Sequence, residues 1–98
     1  MEKSMAEEKQ FELKVRKWIK EQGGWSFKVM GNAFQEAGIP DVIGCINGKL
    51  IALEIKSSRG KASDMQLYKI KLISQAGGYA RVVSPKNWEQ IKKELLEL

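Results

Sequence analysis

Asp41, Glu54 and Lys56 are the residues whose types and spacing point to chemistry. Asp41 stands at the head of the run Pro40-Asp41-Val42-Ile43-Gly44-Cys45-Ile46, and Glu54-Ile55-Lys56 ends the run that begins at Lys49. Between them lies Asn47-Gly48. An Asn-Gly pair flanked by apolar runs signals a two-residue hairpin turn, because both turn positions need positive φ and these residues adopt it at low cost. With that turn, Ile46 faces Lys49, Cys45 faces Leu50, Gly44 faces Ile51, Ile43 faces Ala52, Val42 faces Leu53 and Asp41 faces Glu54. Opposed residues on an antiparallel pair have Cβ atoms ~4.5–5.5 Å apart. Lys56, two residues beyond Glu54, projects from the same face.

Two carboxylates held opposite each other repel and raise each other's pKa, so the arrangement calls for a cation between them. Oxygen ligands without imidazole or thiolate select Mg2+ or Mn2+ over zinc or copper. Such an ion polarises a phosphate and acidifies water, while a nearby ammonium positions the water or stabilises developing negative charge. That is the equipment of phosphodiester hydrolysis. The tripeptide alone carries little weight, since a solvated strand face also presents an acid and a lysine; the spacing from Asp41 through the turn is what singles it out.

The composition bounds the alternatives. The chain has 98 residues, 43% apolar and 30% charged, the profile of a single domain over residues 1–98 with one core. Lys and Arg outnumber Asp and Glu by 17 to 12, a formal charge of +5 that suits an anionic partner such as nucleic acid, although a merely soluble basic protein has the same excess. Histidine is absent and Cys45 is the only cysteine, which excludes an internal disulfide, a zinc cluster and any serine–histidine or cysteine–histidine pair. Cys45, within an apolar run, reads as a small core residue. No apolar stretch approaches the ~20 residues of a membrane span, and the polar start resembles no signal peptide, so a cytoplasmic protein with no membrane partner and no organic cofactor is expected.

The elements that must position the site follow from periodicity. Phe11, Val15, Trp18 and Ile19 recur at helical spacing within Glu7–Gln22, and Gly23-Gly24 stop the helix. Residues 1–6, ahead of it, are expected to be flexible. Trp25, Phe27 and Val29 alternate with polar neighbours as a strand with an apolar face, and residues 31–38 read as loop. After the hairpin, the polar stretch 57–62 leads to a helix opened by Ser63-Asp64-Met65-Gln66, whose Met65, Tyr68, Leu72 and Ala76 share a face. Tyr79 to Val83 is a strand. Ser84-Pro85 reads as an N-cap with proline at the first helical position, and Trp88, Ile91 and Leu95 form the apolar face of the last helix. Trp18, Trp25 and Trp88 read as core anchors. The order is α-β-β-β-α-β-α, an α/β fold whose crossover from Leu50 to Val83 implies a parallel pair within a mixed sheet. Both faces of that sheet are expected to be covered by helices.

Gly38-Ile39-Pro40-Asp41 followed by Glu54-Ile55-Lys56 resembles the PD-(D/E)XK nuclease superfamily, nearest its VRR-NUC branch of virus-type replication and repair nucleases. The resemblance runs from Phe11 to Ser84 and takes in the helix Glu12–Lys20, the strand ending Phe27-Lys28-Val29, and Gln66 ahead of Ala76-Gly77-Gly78. It implies a restriction-endonuclease-like core in which Asp41, Glu54 and the Ile55 carbonyl bind the metal and Lys56 handles the attacking water. It also implies that Glu12 and Gln66 join the catalytic group. Surface pairing of Glu12 with Arg16 at i+4, and a capping box between Gln66 and Ser63, are open alternatives.

Lys28, Arg59 and Lys61 are candidate DNA contacts, the last two because their loop directly follows Lys56; a solvated strand or loop is the alternative for each. The run Lys14, Arg16, Lys17, Lys20 reads as a solvated helix face. With no recognisable reader of base edges, the resemblance implies a structure-selective endonuclease of phage type, resolving four-way (Holliday) junctions as a homodimer in the cytoplasm of a bacterial or phage-infected cell. A flap- or duplex-directed nuclease with the same site, and a non-catalytic DNA-binding module, are the other readings. The last helix is a candidate for pairing.

Overall fold

The computed structural model describes residues 2–31 and 35–98; residues 32–34, part of the expected loop, lie outside the described residues. The elements are α1 (Glu2–Glu21), β1 (Trp25–Lys28), β2 (Val42–Ile46), β3 (Lys49–Ile55), α2 (Asp64–Gln75), β4 (Tyr79–Val83) and α3 (Trp88–Leu96), in the order expected from the sequence. They build a four-stranded mixed sheet, β1-β2-β3-β4, with β3 and β4 parallel and the other pairs antiparallel.

The hairpin register is the one that the turn dictates, from Ile46↔Lys49 to Val42↔Leu53. Asn47 and Gly48 have φ of 52° and 78°, the paired positive values that a type I′ turn requires. Val42, Ile46, Ile51, Leu53 and Ile55 therefore share one face, and all are buried. α1 contributes Phe11, Val15 and Ile19 to this core, and α3 contributes Trp88, Ile91 and Leu95. Trp88 meets Phe11 and Trp18 edge to face, at ring-centroid distances of 5.8 and 5.4 Å.

The other face is unlike the expectation. α2 has no buried residue. Its half-buried residues, Gln66, Lys69, Ile70 and Ile73, fall at i, i+3, i+4 and i+7, which is the stripe that meets the sheet. Met65, Tyr68 and Leu72, which share a face with Ala76 as expected, are exposed on the side away from the sheet. The sequence pattern is ambiguous because two apolar stripes run along this helix, and the inner one is set by Gln66, whose amide is engaged beneath it. Helices thus cover the second face incompletely.

Four further expectations are corrected. Trp25 is 64% exposed and no core anchor, because β1 turns Ser26 and Lys28 toward α1 and leaves Trp25 and Phe27 on the thinly covered face. Cys45, cross-strand from Trp25, is exposed for the same reason. α1 begins at Glu2, so the helix takes in residues expected to precede it; nothing in that stretch, free of Gly and Pro, opposes helix. Ser84-Pro85 belongs to a turn rather than to the first turn of α3, whose N-cap is Asn87. That turn is closed by Asn87 N–H donating to Ser84 O and Ser84 N–H donating to Asn87 Oδ1, at 3.1 and 2.9 Å.

Candidate metal and phosphodiester site

Asp41 sits one residue before β2, held from both sides. Pro40 ahead of it is buried, and the Asp41 carbonyl accepts the Val29 N–H at 2.7 Å. The backbone N–H of Ile55 donates to Asp41 Oδ2 at 3.0 Å, fastening the carboxylate to the end of β3. Gly38 enables this approach: its φ is +80°, and a Cβ there would meet the backbone of Met65.

Glu54 is 1% exposed on the α2 side of β3. Its Oε2 accepts from Gln66 Nε2 at 3.1 Å and pairs with Lys56 Nζ at 3.2 Å, while Oε1 is buried with no hydrogen-bond partner among the described residues. Burial pushes the Glu54 carboxyl up to about 8, and the neighbouring Asp41 carboxyl adds to the rise while Lys56 opposes it. The Lys56 backbone N–H extends the parallel ladder to Val83 O at 2.9 Å, which fixes the lysine beside the acid.

Glu12 reaches the same end of the sheet from α1. It is 3% exposed, and the i+4 pairing read from the sequence is present: it pairs with Arg16 at 3.3 Å, and also with Lys28 at 3.5 Å. With Asp41, Ile55, Lys28 and Arg16 it lines a cleft of about 560 Å³, whose rim carries Met5, Glu8, Lys9 and Leu13. Met5, Glu8, Lys9 and Leu13 are not among the site residues expected from the sequence. Their signal was a second stripe along α1, 5-8/9-12-16, beside the core stripe 11-15-19.

Gln66 forms the capping box read from the sequence and also reaches Glu54. Its side chain accepts from the Ser63 backbone N–H at 2.8 Å and donates to Glu54 through the other end of the amide. Arg59 and Lys61 are exposed after Lys56 and do not line this cleft. The intervening loop is tied to α1 by Ser58 N–H donating to Glu7 Oε1 at 2.6 Å.

Asp41, Glu54, Lys56 and Gln66 therefore meet at one strand end, with Glu12 and Lys28 across the cleft. No group of three or more acidic, cysteine or histidine side chains converges among the described residues. The acidic side chains at this end are two carboxylates, Asp41 and Glu54. A hard divalent ion that keeps several waters suits so few protein ligands, and the unpartnered Glu54 Oε1 beside Asp41 is the oxygen it would satisfy. No helix among the described residues is long and apolar enough to cross a membrane. Comparison of the sequence with models of known protein families finds no match, and comparison with curated proteins also finds none.

Proposed function

We propose that this chain is a metal-dependent nuclease that hydrolyses phosphodiester bonds in DNA. The observation that carries this reading is the pairing of two carboxylates, one buried with an oxygen left without a partner, against an ammonium 3.2 Å away. Stability does not favour such a group: a buried carboxyl with one oxygen unpartnered and a second acid beside it costs free energy, and an apolar strand end would avoid that cost. The α-β-β-β-α-β-α order and the motif Pro40-Asp41 with Glu54-Ile55-Lys56 support a restriction-endonuclease-like core of the VRR-NUC kind.

Asp41, Glu54 and the Ile55 carbonyl are the proposed holders of Mg2+ or Mn2+. When bound, the ion supplies Lewis-acid polarisation of the phosphate and lowers the pKa of water. The chain's own residues do the rest. Lys56, with its side chain 15% exposed, orients the attacking water or stabilises charge developing on the phosphate. Gln66 holds Glu54 in place, and Glu12 keeps Arg16 and Lys28 at the cleft wall, where Lys28 can contact phosphate. Arg59 and Lys61 extend that contact outside the cleft.

The proposed substrate is branched DNA, with four-way junctions first, since two symmetric cuts suit a two-fold pair of chains carrying one site each. The proposed pairing surface is the outer stripe of α2, Met65, Tyr68 and Leu72, exposed by 47, 53 and 40%. An apolar stripe at helical spacing that its own sheet does not cover is accounted for by a second copy of the chain. The proposed location is the cytoplasm.

The test is incubation of the protein with labelled four-way junction, flap and linear duplex DNA, with Mg2+, Mn2+ or chelator, alongside Glu54→Gln. Paired, metal-dependent nicks in the junction that the variant fails to make are expected. Cutting only flaps or duplex would replace the substrate and keep the chemistry. No cutting at all would favour a non-catalytic DNA-binding module.

A further inference from the structure

A second groove of about 500 Å³ opens between α1 and the free edge of β1, lined by Arg16, Lys17, Lys20, Trp25 and Ser26, with Leu13 at its near end. Leu13 and Arg16 also line the cleft beside Asp41, so the two depressions adjoin. No acidic residue lines the groove. Lys17 and Lys20 are exposed and enter no ion pair among the described residues, and Arg16 Nε, at the seam, is buried without a hydrogen-bond partner. At the far end Trp25 is 64% exposed, its ring 5.5 Å from that of Phe27, itself 42% exposed.

We infer that this groove holds a single strand of nucleic acid leaving the cleft, with its phosphates on Arg16, Lys17 and Lys20 and its bases turned over the edge of β1 onto Trp25 and Phe27. The inference rests on the proposed nuclease reading and adds the unpaired arm of the substrate to it. Cations along a groove with an aromatic platform at its rim are what single-strand binding requires, whereas duplex bases have no free π-face to offer Trp25. From Glu12 to Lys20 the helix rises ~12 Å, room for roughly three to four nucleotides at the ~3.4 Å spacing of a stacked strand. Ser26, half-buried on the edge strand, adds a hydroxyl donor. The cations that a sequence reading assigns to a solvated face thus line a defined path.

The test is equilibrium binding of a fluorescein-labelled oligothymidylate to the full chain in chelator, where no cleavage occurs. Lys17→Glu combined with Lys20→Glu is compared with Lys71→Glu combined with Lys93→Glu, an equal charge change on exposed positions of α2 and α3. The groove variant is expected to bind at least about tenfold more weakly and to lose about 1.4 from its salt slope, two contacts at ~0.7 each, with the control variant nearly unchanged. Trp25→Phe is expected to abolish most of the quenching of intrinsic fluorescence by unlabelled strand. Equal losses in both charge variants, an unchanged groove variant, tighter binding of duplex than of single strand, or displacement of the strand by an acidic peptide would each overturn the path while leaving the nuclease reading standing. Wild-type protein that binds no nucleic acid would overturn both; binding by the groove without metal-dependent cutting would uphold the path and remove the nuclease.

Discussion

Gln66 caps its own helix and holds Glu54 with the same side chain. Its Oε1 accepts the Ser63 N–H while its Nε2 donates to Glu54 Oε2, so α2 is anchored at the point where the acid is buried. Removing the amide breaks the capping box and leaves Glu54 with one fewer partner. Gln66→Ala is expected to lower stability by about 1–2 kcal/mol, read from the chemical-denaturation midpoint, and to reduce the cleavage rate. Ser63→Ala removes the cap while keeping the Glu54 contact; it is expected to lower stability comparably with little effect on rate. Equal rate losses in the two variants would mean that Gln66 acts only as a cap.

How much of this site was legible in the sequence depends on what sets each position. The hairpin register follows from Asn47-Gly48 and strict alternation, so the meeting of Asp41 and Glu54 could be read directly. The faces of β1 and α2 could not: β1 turns its apolar side, Trp25 and Phe27, outward and its polar side, Ser26 and Lys28, toward α1, while α2 carries two apolar stripes, Met65, Tyr68 and Leu72 outward and Ile70 and Ile73 inward. Periodicity identifies a stripe but does not choose between two of them. The choice came from polar anchors, Lys28 to Glu12 and Gln66 to Glu54, which are tertiary contacts that no local pattern encodes. The cleft wall contributed by α1 was hidden for a related reason, since its charged residues look like any solvated helix face until the core stripe is oriented.

The raised pKa of Glu54 makes metal-free stability depend on pH. Its carboxyl moves from the ordinary 4.5 to about 8 in the folded chain, so folding favours the protonated form. That contribution is fully present below about 4.5 and is lost progressively as pH rises through about 8, above which this group adds no further dependence. Denaturation midpoints from pH 5.5 to 8.5 in chelator are expected to fall, by at most ~1.4 kcal/mol per pH unit from this group. Glu54→Gln should flatten the dependence, and Mg2+ should flatten it too by taking the place of the proton. A wild-type profile parallel to that of the variant would sink the assignment.

Glu54→Gln keeps the shape of the side chain and removes its charge. The new amide oxygen can accept from Gln66 and Lys56, and the amide N–H2 can donate toward Asp41, so the metal-free variant is expected to be more stable than wild type at pH 8. Cleavage should fall to the level seen in chelator and calorimetric metal affinity should drop sharply. DNA binding should persist or tighten, because one negative charge near the phosphates is gone. Simultaneous loss of cleavage, binding and fold would argue that Glu54 is a structural acid.

The outer stripe of α2 distinguishes a working pair of chains from a single one. Met65, Tyr68 and Leu72 are exposed and lie on one side of the helix, away from the Gln66 side that holds Glu54, so charging Tyr68 and Leu72 should not touch the chemistry. If a second copy covers them, Tyr68→Asp with Leu72→Asp should convert a dimer into a monomer in sedimentation equilibrium, because two aspartates facing their symmetry mates repel and lose the apolar burial together. The monomer should still nick a junction in the presence of Mg2+, but on one strand at a time, so the product pattern changes from paired to unpaired cuts while the rate of the first cut is kept. A wild-type chain that sediments as a monomer would dismiss the pairing surface, and a dimer that survives both charges would place it elsewhere, with the exposed Leu96 of α3 as the next position to charge.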